Sequence, residues 1–112
     1  MATLSFGNSG AEFPIPGYGM WHGVIHGFNA EENVAIARTW FSKKIADFMG
    51  MLARIPDSDG NTVLDNTLIY LTSDMGNGSS HDNFRTPIML AGGAGGALKV
   101  GQSVDMGGAA FH

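Results

Sequence analysis

The stretch "LIYLTSDMGNGSSHDN", residues 68–83, decides how the chain reads. Leu68 to Leu71 is continuously apolar and includes a β-branched and an aromatic residue, the composition of a strand buried on both faces. The run then gives way to Asp74, Met75, glycines, serines and His81. A second apolar run, "PIMLA" from Pro87 to Ala91, reads as another short strand beyond the loop. Upstream, Val34, Ala37, Phe41, Ile45, Phe48 and Leu52 recur at three- and four-residue steps, with Trp40 and Met49 widening the stripe. That period predicts an amphipathic helix running to about Arg54. Asn29 reads as its N-cap, and Glu31 and Glu32 sit in the first turn, where the helix dipole favours negative charge. Helix, strand, loop and strand in this order predict an α/β fold class with one long helix, short strands and many loops.

The totals set limits around that reading. The chain has 112 residues, near the usual size of one domain, with 44% hydrophobic and 14% charged residues, so there is material for a core. Its 17 glycines predict a loop-rich chain that is marginally stable by itself. A net charge of -4 supplies no basic stripe for phosphates, which argues against a nucleic-acid partner. No run approaches the roughly 18 apolar residues of a membrane span. Cysteine is absent, which excludes disulfides, thiolate zinc sites and thiol nucleophiles. The opening "MATLSFGNSG" has neither the basic nor the apolar segment of a signal peptide, so either the chain is cytoplasmic or its true N-terminus lies elsewhere.

Three regions follow from composition. Residues 1–28 read as an irregular, histidine-containing loop region with Pro14 and Pro16. Residues 29–102 read as the helix–strand–loop–strand segment, and residues 103–112 as a disordered tail. Within the middle region "PDSDGN", residues 56–61, stops the helix and turns the chain. Its acidic spacing resembles part of a calcium loop, but the glycine comes one position early and no glutamate follows at the required distance, so a plain turn is the favoured reading. "GGAGGALKVG" fits neither phosphate-binding glycine motif and reads as a flexible loop.

The chemistry-bearing residues gather in glycine-rich loops. His22 and His26 stand four apart in "MWHGVIHGF", each followed by glycine. On a helix that spacing would put both imidazoles on one face, as in zinc sites, but the glycines argue for a loop. Two readings stand: loop histidines bonded to backbone, or converging metal ligands. Asp74 lies just past the apolar run, where ligands collect beyond the carboxyl ends of strands in open α/β sheets. His81 follows seven residues later, beside Asp82, a carboxylate able to orient its ring. His22, His26, Asp74 and His81 together form a nitrogen/oxygen ligand set suited to zinc or a similar divalent ion. "NGS" at 77–79 fits a glycosylation triplet of the kind common by chance.

"VLDNTLIYLTSDMG" resembles a stretch of the alkaline phosphatase/sulfatase superfamily, in which a helix precedes a central strand ending in an Asp-His metal pair. "HGVIHG", the helix from Ala30, "VLDNTLIYLTSDMGNGSSHDN" and "TPIMLAGGAGGALKVG" together resemble, in the same order, an uncharacterised and often exported bacterial branch of that superfamily. The resemblance spans about residues 12–102 and corresponds to the C-terminal part of a family member. It implies a fragment of a three-layer α/β/α sandwich, phosphate- or sulfate-ester hydrolysis, and a divalent metal such as zinc, manganese or calcium. It also implies a small ester as substrate and a periplasmic or secreted location. By the same resemblance Asp74 holds the strand-end metal position, Met75 stands where the partner histidine belongs, His26 and His22 hold the positions of an upstream Asp-x-x-x-His motif, and His81 is the loop histidine. The superfamily's nucleophile and N-terminal Asp have no counterpart in these residues, so the segment by itself is expected to be inactive. The alternative is a degenerate, non-catalytic binding or structural module.

Overall fold

In "PIPGYGM", proline and glycine fold the chain back on itself within three residues. Pro16 presets its own backbone angle, Gly17 takes φ 84°, and the Tyr18 amide donates to the Ile15 carbonyl at 2.9 Å. This is the geometry of a type II turn. It joins β1 (Pro14–Ile15) to β2 (Gly19–Met20), paired antiparallel with Ile15 opposite Gly19. The computed structural model describes residues 2, 14–27 and 30–105.

Directly after β2, residues Trp21–His26 form the short helix α1. This corrects the reading of the histidine region as a loop. Glycine lowers helix propensity, but tertiary packing overrides it here: Val24 is buried, and Trp21 meets Phe41 edge-on with ring centres 5.7 Å apart. The long helix α2 covers Ala30–Leu52, close to the predicted span; the proposed cap, Asn29, lies outside the described residues. Ala37 is fully buried, and Val34, Trp40, Phe41, Ile45, Met49 and Leu52 are half-buried. Phe48, expected on the buried stripe, is exposed.

The chain divides into two compact units, Met1–Ser42 with Asp74–Thr86, and Lys43–Ser73 with Pro87–His112. Unit 1 contains the β1–β2 hairpin, α1, the first half of α2 and the loop 74–86. Unit 2 contains the second half of α2, the turn 56–61, α3 (Val63–Asn66), β3 (Ile69–Thr72), β4 (Ile88–Ala91) and a 3₁₀ turn at Ala94–Gly96. The described residues therefore form a mixed helix-and-strand fold with three α-helices and two small antiparallel sheets.

In unit 2, β3 and β4 pair antiparallel with Tyr70 opposite Leu90 and Leu71 opposite Met89. Their sheet has two strands, and β3 alternates: Ile69 and Leu71 are half-buried, whereas Leu68 and Tyr70 are 53% and 55% exposed. The strand expected to be buried on both faces has one exposed face. The glycine-rich stretch after β4 is hydrogen-bonded to α3 rather than left free, through Gly93 N–H to Leu64 O at 3.0 Å and Ala94 N–H to Thr67 O at 3.1 Å. Gly92 permits this approach: it has φ 86°, and a Cβ there would lie 2.2 Å from the Thr67 carbonyl oxygen. Residues 103–105 of the expected tail are exposed and irregular, and the rest lies outside the described residues. No helix among the described residues is long and apolar enough to cross a membrane.

The acidic turn before α3 is held by its own polar groups. The Asn66 amide nitrogen donates to Asp57 at 3.0 Å and to Asp59 at 2.9 Å. Thr62 and Asp65 form a capping box at the start of α3. These bonds favour the ionised carboxylates. Asn66, with help from the Ser58 amide, holds Asp57 below the usual carboxylate range, and Asn66 with the Asn61 amide does the same for Asp59. The Thr62 hydroxyl and amide lower Asp65. All three bind protons less readily folded than unfolded. Their stabilising contribution is complete above the ordinary carboxylate value of about 4 and is lost as pH falls through the depressed folded values. Carboxyl NMR titration is expected to show Asp57 and Asp59 titrating low in the wild type. In Asn66→Ala both should rise towards the ordinary value while Asp65 stays low.

Candidate functional site

The imidazoles of unit 1 are placed by a short helix and a tightly closed loop. In α1, His22 and His26 are separated by one helical turn and share a face, with ring centres 4.9 Å apart. The four-residue spacing therefore does what it does in helical zinc motifs, despite Gly23.

The loop 74–86 brings the third ring. The Gly76 amide donates to the Asp82 carbonyl at 3.0 Å, and Asn77 and Asp82 exchange backbone bonds at 3.3 Å. Inside this closure the Asn77 side chain accepts from the amides of Ser79 at 2.9 Å and Ser80 at 3.3 Å, an Asx turn. A Cβ on residue 76 would lie 1.6 Å from the Phe84 carbonyl oxygen, so only glycine lets the two ends of the loop pass. Gly78 lies against Ile25, where a Cβ would come within 3.0 Å of the Ile25 Cγ2. Ile25 precedes His26 in α1, so this contact sets the loop beside the helix's last imidazole. His81 takes φ 55°, a left-handed conformation uncommon for residues other than glycine.

The result is a three-imidazole cluster. The Nε2 atoms of His26 and His81 lie 3.1 Å apart, 55 residues apart in sequence, within hydrogen-bond distance. Their ring centres are 5.0 Å apart and those of His22 and His81 6.4 Å. His22 is half-buried; His26 and His81 are exposed.

Metal-site geometry gives a scale for these distances. Two imidazole nitrogens on one tetrahedral zinc, each at about 2.0–2.1 Å, stand about 3.3–3.4 Å apart, with ring centres about 5.2 Å apart. His26 and His81 are near that spacing, as are the ring centres of His22 and His26. The His22–His81 distance is about 1 Å too wide on the same scale. As placed, no group of three or more His, Cys, Asp or Glu side chains among the described residues could hold a metal ion.

Two residues read from the sequence do other things. Asp74 is exposed, and among the described residues no hydrogen bond or ion pair joins it to the imidazoles. Asp82 does not orient His81. Its carboxylate accepts from the Phe84 amide at 3.1 Å and from the Ser80 hydroxyl, and so builds the loop. The structural parts that sequence reading missed are the helicity of 21–26 and the Ile25–Gly78 contact. Asn77 ahead of Gly78 and two serines was a legible signal for the Asx turn.

No protein-family model, curated protein or solved structure matches the chain.

Gly76→Ala is expected to destabilise unit 1 by about 2 kcal/mol or more, because a backbone carbonyl cannot move aside as a side chain can. Gly78→Ala, which meets only Ile25 side-chain carbons, is expected to cost less than about 1 kcal/mol. Urea unfolding followed by tryptophan fluorescence checks both, since Trp21 and Trp40 lie in unit 1. Equal costs would show that Phe84 does not set the closure.

Proposed function

We propose that this chain is the C-terminal segment of a metal-dependent phosphate- or sulfate-ester hydrolase-like protein, and that its imidazole cluster is part of the metal site. The observation that supports the reading most is the convergence of His26 with His81 across 55 residues, with His22 one turn away on α1. Histidines so far apart in sequence meet here because two glycines and an Asx turn shape the loop. The ordered motifs add to this: α2, the "LDNTL" turn into β3, and the "PIMLAGG" run of β4 follow the order of the alkaline phosphatase/sulfatase superfamily. On this reading the three elements belong to a three-layer α/β/α sandwich completed by further chain, and export follows from the resemblance.

The bound ion would polarise an ester oxygen and stabilise an activated nucleophile. The chain's own part is to present imidazole nitrogens from a helix and a loop, with Asp74 exposed at the start of that loop. The nucleophile is supplied from outside these residues. A second reading, a non-catalytic binding or structural module, is favoured by Met75, which offers a thioether where the superfamily pattern has an imidazole.

Calorimetric titration of the full chain with zinc, manganese and calcium tests the metal reading. One ion per chain is expected, with affinity falling more than about a hundredfold in His26→Ala and His81→Ala, the upper range for loss of a mere outer-shell partner. Asp74→Ala, lacking contact with the imidazoles, is expected to weaken binding by less than about threefold. Failure of all three ions to bind, or binding indifferent to both histidine changes, would overturn the reading.

A further inference from the structure

The dipeptide Asn77–Gly78 is the chain's single Asn-Gly pair, and the loop 74–86 holds it in a reactive setting. Asn77 is exposed, and its side-chain oxygen accepts from the amides of Ser79 at 2.9 Å and Ser80 at 3.3 Å. The Asx turn closed by the first of these bonds folds the side chain over its own C-terminal peptide. The carboxamide carbon Cγ and the Gly78 nitrogen then belong to one small hydrogen-bonded ring. Both donors point at the oxygen that takes up negative charge when Cγ is attacked, the arrangement that stabilises an oxyanion. Gly78 brings no side chain to shield its nitrogen, and among the described residues its amide donates no hydrogen bond. The other described asparagines lack this combination. The amide after Asn61 donates to Asp65 at 2.8 Å, the one after Asn66 to the Leu64 carbonyl at 3.2 Å, and the one after Asn83 to the Asp82 carboxylate at 3.1 Å. Asn33 lies inside α2, where the following amide belongs to the helix ladder.

We infer that Asn77 is a site of spontaneous covalent modification, deamidation through a succinimide, and that the isoaspartate product unlocks the loop from α1. The Gly78 nitrogen gives up its proton to solvent and attacks Asn77 Cγ. The new carbon–nitrogen bond closes a cyclic imide, and the side-chain nitrogen leaves as ammonia, taking a proton from solvent. Water, the only co-reactant, then opens the ring at one of its carbonyls. Opening at Cγ gives aspartate. Opening at the backbone carbonyl gives isoaspartate, whose main chain runs through the former side chain and is longer by a methylene. The loop tolerates these products unequally. An aspartate keeps the oxygen that the Ser79 and Ser80 amides need, so the Asx turn persists. The added methylene of isoaspartate falls between the residue that pairs with Asp82 and the glycine that seats on Ile25. Little slack exists to absorb it, because a Cβ on residue 76 would already lie 1.6 Å from the Phe84 carbonyl oxygen. A longer main chain therefore shifts the Asn77–Asp82 pairing, and with it the corner that holds the His81 ring nitrogen 3.1 Å from that of His26. The modification stands on backbone geometry and is independent of the metal reading of the imidazoles.

Ageing the full chain in mildly alkaline buffer, with peptide mapping by mass spectrometry, tests the site. Asn77 is expected to convert at least about tenfold faster than Asn61, Asn66 and Asn83, a share of the hundredfold or so that an oxyanion donor is worth in a closed active site. Equal rates at all four would overturn the site. The same mapping in urea separates the fold from the dipeptide: the folded chain is expected to convert Asn77 at least as fast as the unfolded one. Slower conversion in the folded chain would show that the turn protects Asn77, and would overturn the site as well. Gly78→Ala, whose methyl group shields the nitrogen and meets only Ile25 side-chain carbons, is expected to slow conversion by about tenfold. The consequence is read by hydrogen exchange on the separated isoaspartate form. Exchange in 74–86 is expected to rise more than about tenfold over the unmodified chain, whereas Asn77→Asp stays within about twofold of it. Residues 69–72 and 88–91 of unit 2 should be unchanged in both. An isoaspartate form that exchanges like the unmodified chain would overturn the unlocking. Asn77→Asp exchanging as fast as the isoaspartate form would overturn it too, since charge and not chain length would then open the loop.

Discussion

The backbone at Gly76 passes where a side chain would strike the Phe84 carbonyl, and the geometry of unit 1 depends on that passage. With the loop's ends able to cross, the Gly76 amide reaches the Asp82 carbonyl and Asn77 pairs with Asp82. The chain between them is then short enough that Asn77 must turn it with its own side chain, and His81 is driven into the left-handed region at the far corner. Gly78 lies flat on Ile25, so the corner stands over the last turn of α1. Most of these steps are backbone or polar constraints. Apart from the packing of Gly78 on half-buried Ile25, these constraints need no fully buried residue, and the segment has none.

Unit 2 is organised on the opposite plan. There the acidic turn satisfies itself: one Asn66 amide bridges two carboxylates, and Thr62 and Asp65 cap each other's helix end. Three carboxylates within nine residues look like chemistry in a sequence, but each is already engaged by a donor of the protein. Their depressed proton affinities follow from those bonds. In unit 1 the imidazoles meet each other instead, His26 and His81 at 3.1 Å, at the exposed surface.

Legibility in the sequence followed the physical range of each determinant. The helix α2 was readable to within two residues at its end, because a 3.6-residue period over 23 residues is a local signal. The strand β3 was readable in place but not in burial, since its exposed face depends on how many strands pair beside it. Helix α1 was hidden by Gly23 and Gly27, whose local preference opposes a helix that Val24 and the Trp21–Phe41 contact hold from outside. The candidate site was legible as a set of residue types and only partly as an arrangement. His22, His26 and His81 meet, but Asp74 does not touch them, because its place past β3 says nothing of where the loop carries the chain next.

Met75 sharpens what that arrangement means. In the superfamily pattern an aspartate and a histidine leave the strand together and offer an ion one oxygen and one nitrogen. Here position 75 offers a weakly donating sulfur, and the nearest imidazole beyond it comes six residues later, on the corner of the loop. A nitrogen delivered from that corner approaches α1, where His26 stands. The substitution at 75 and the convergence at His81 are then two sides of one change under the proposed reading: the ligand field moves from mixed oxygen and nitrogen to nitrogen alone. Such a field favours a borderline ion over a hard one, and it transfers the work of holding the ion from a strand end to a helix and a glycine-closed loop.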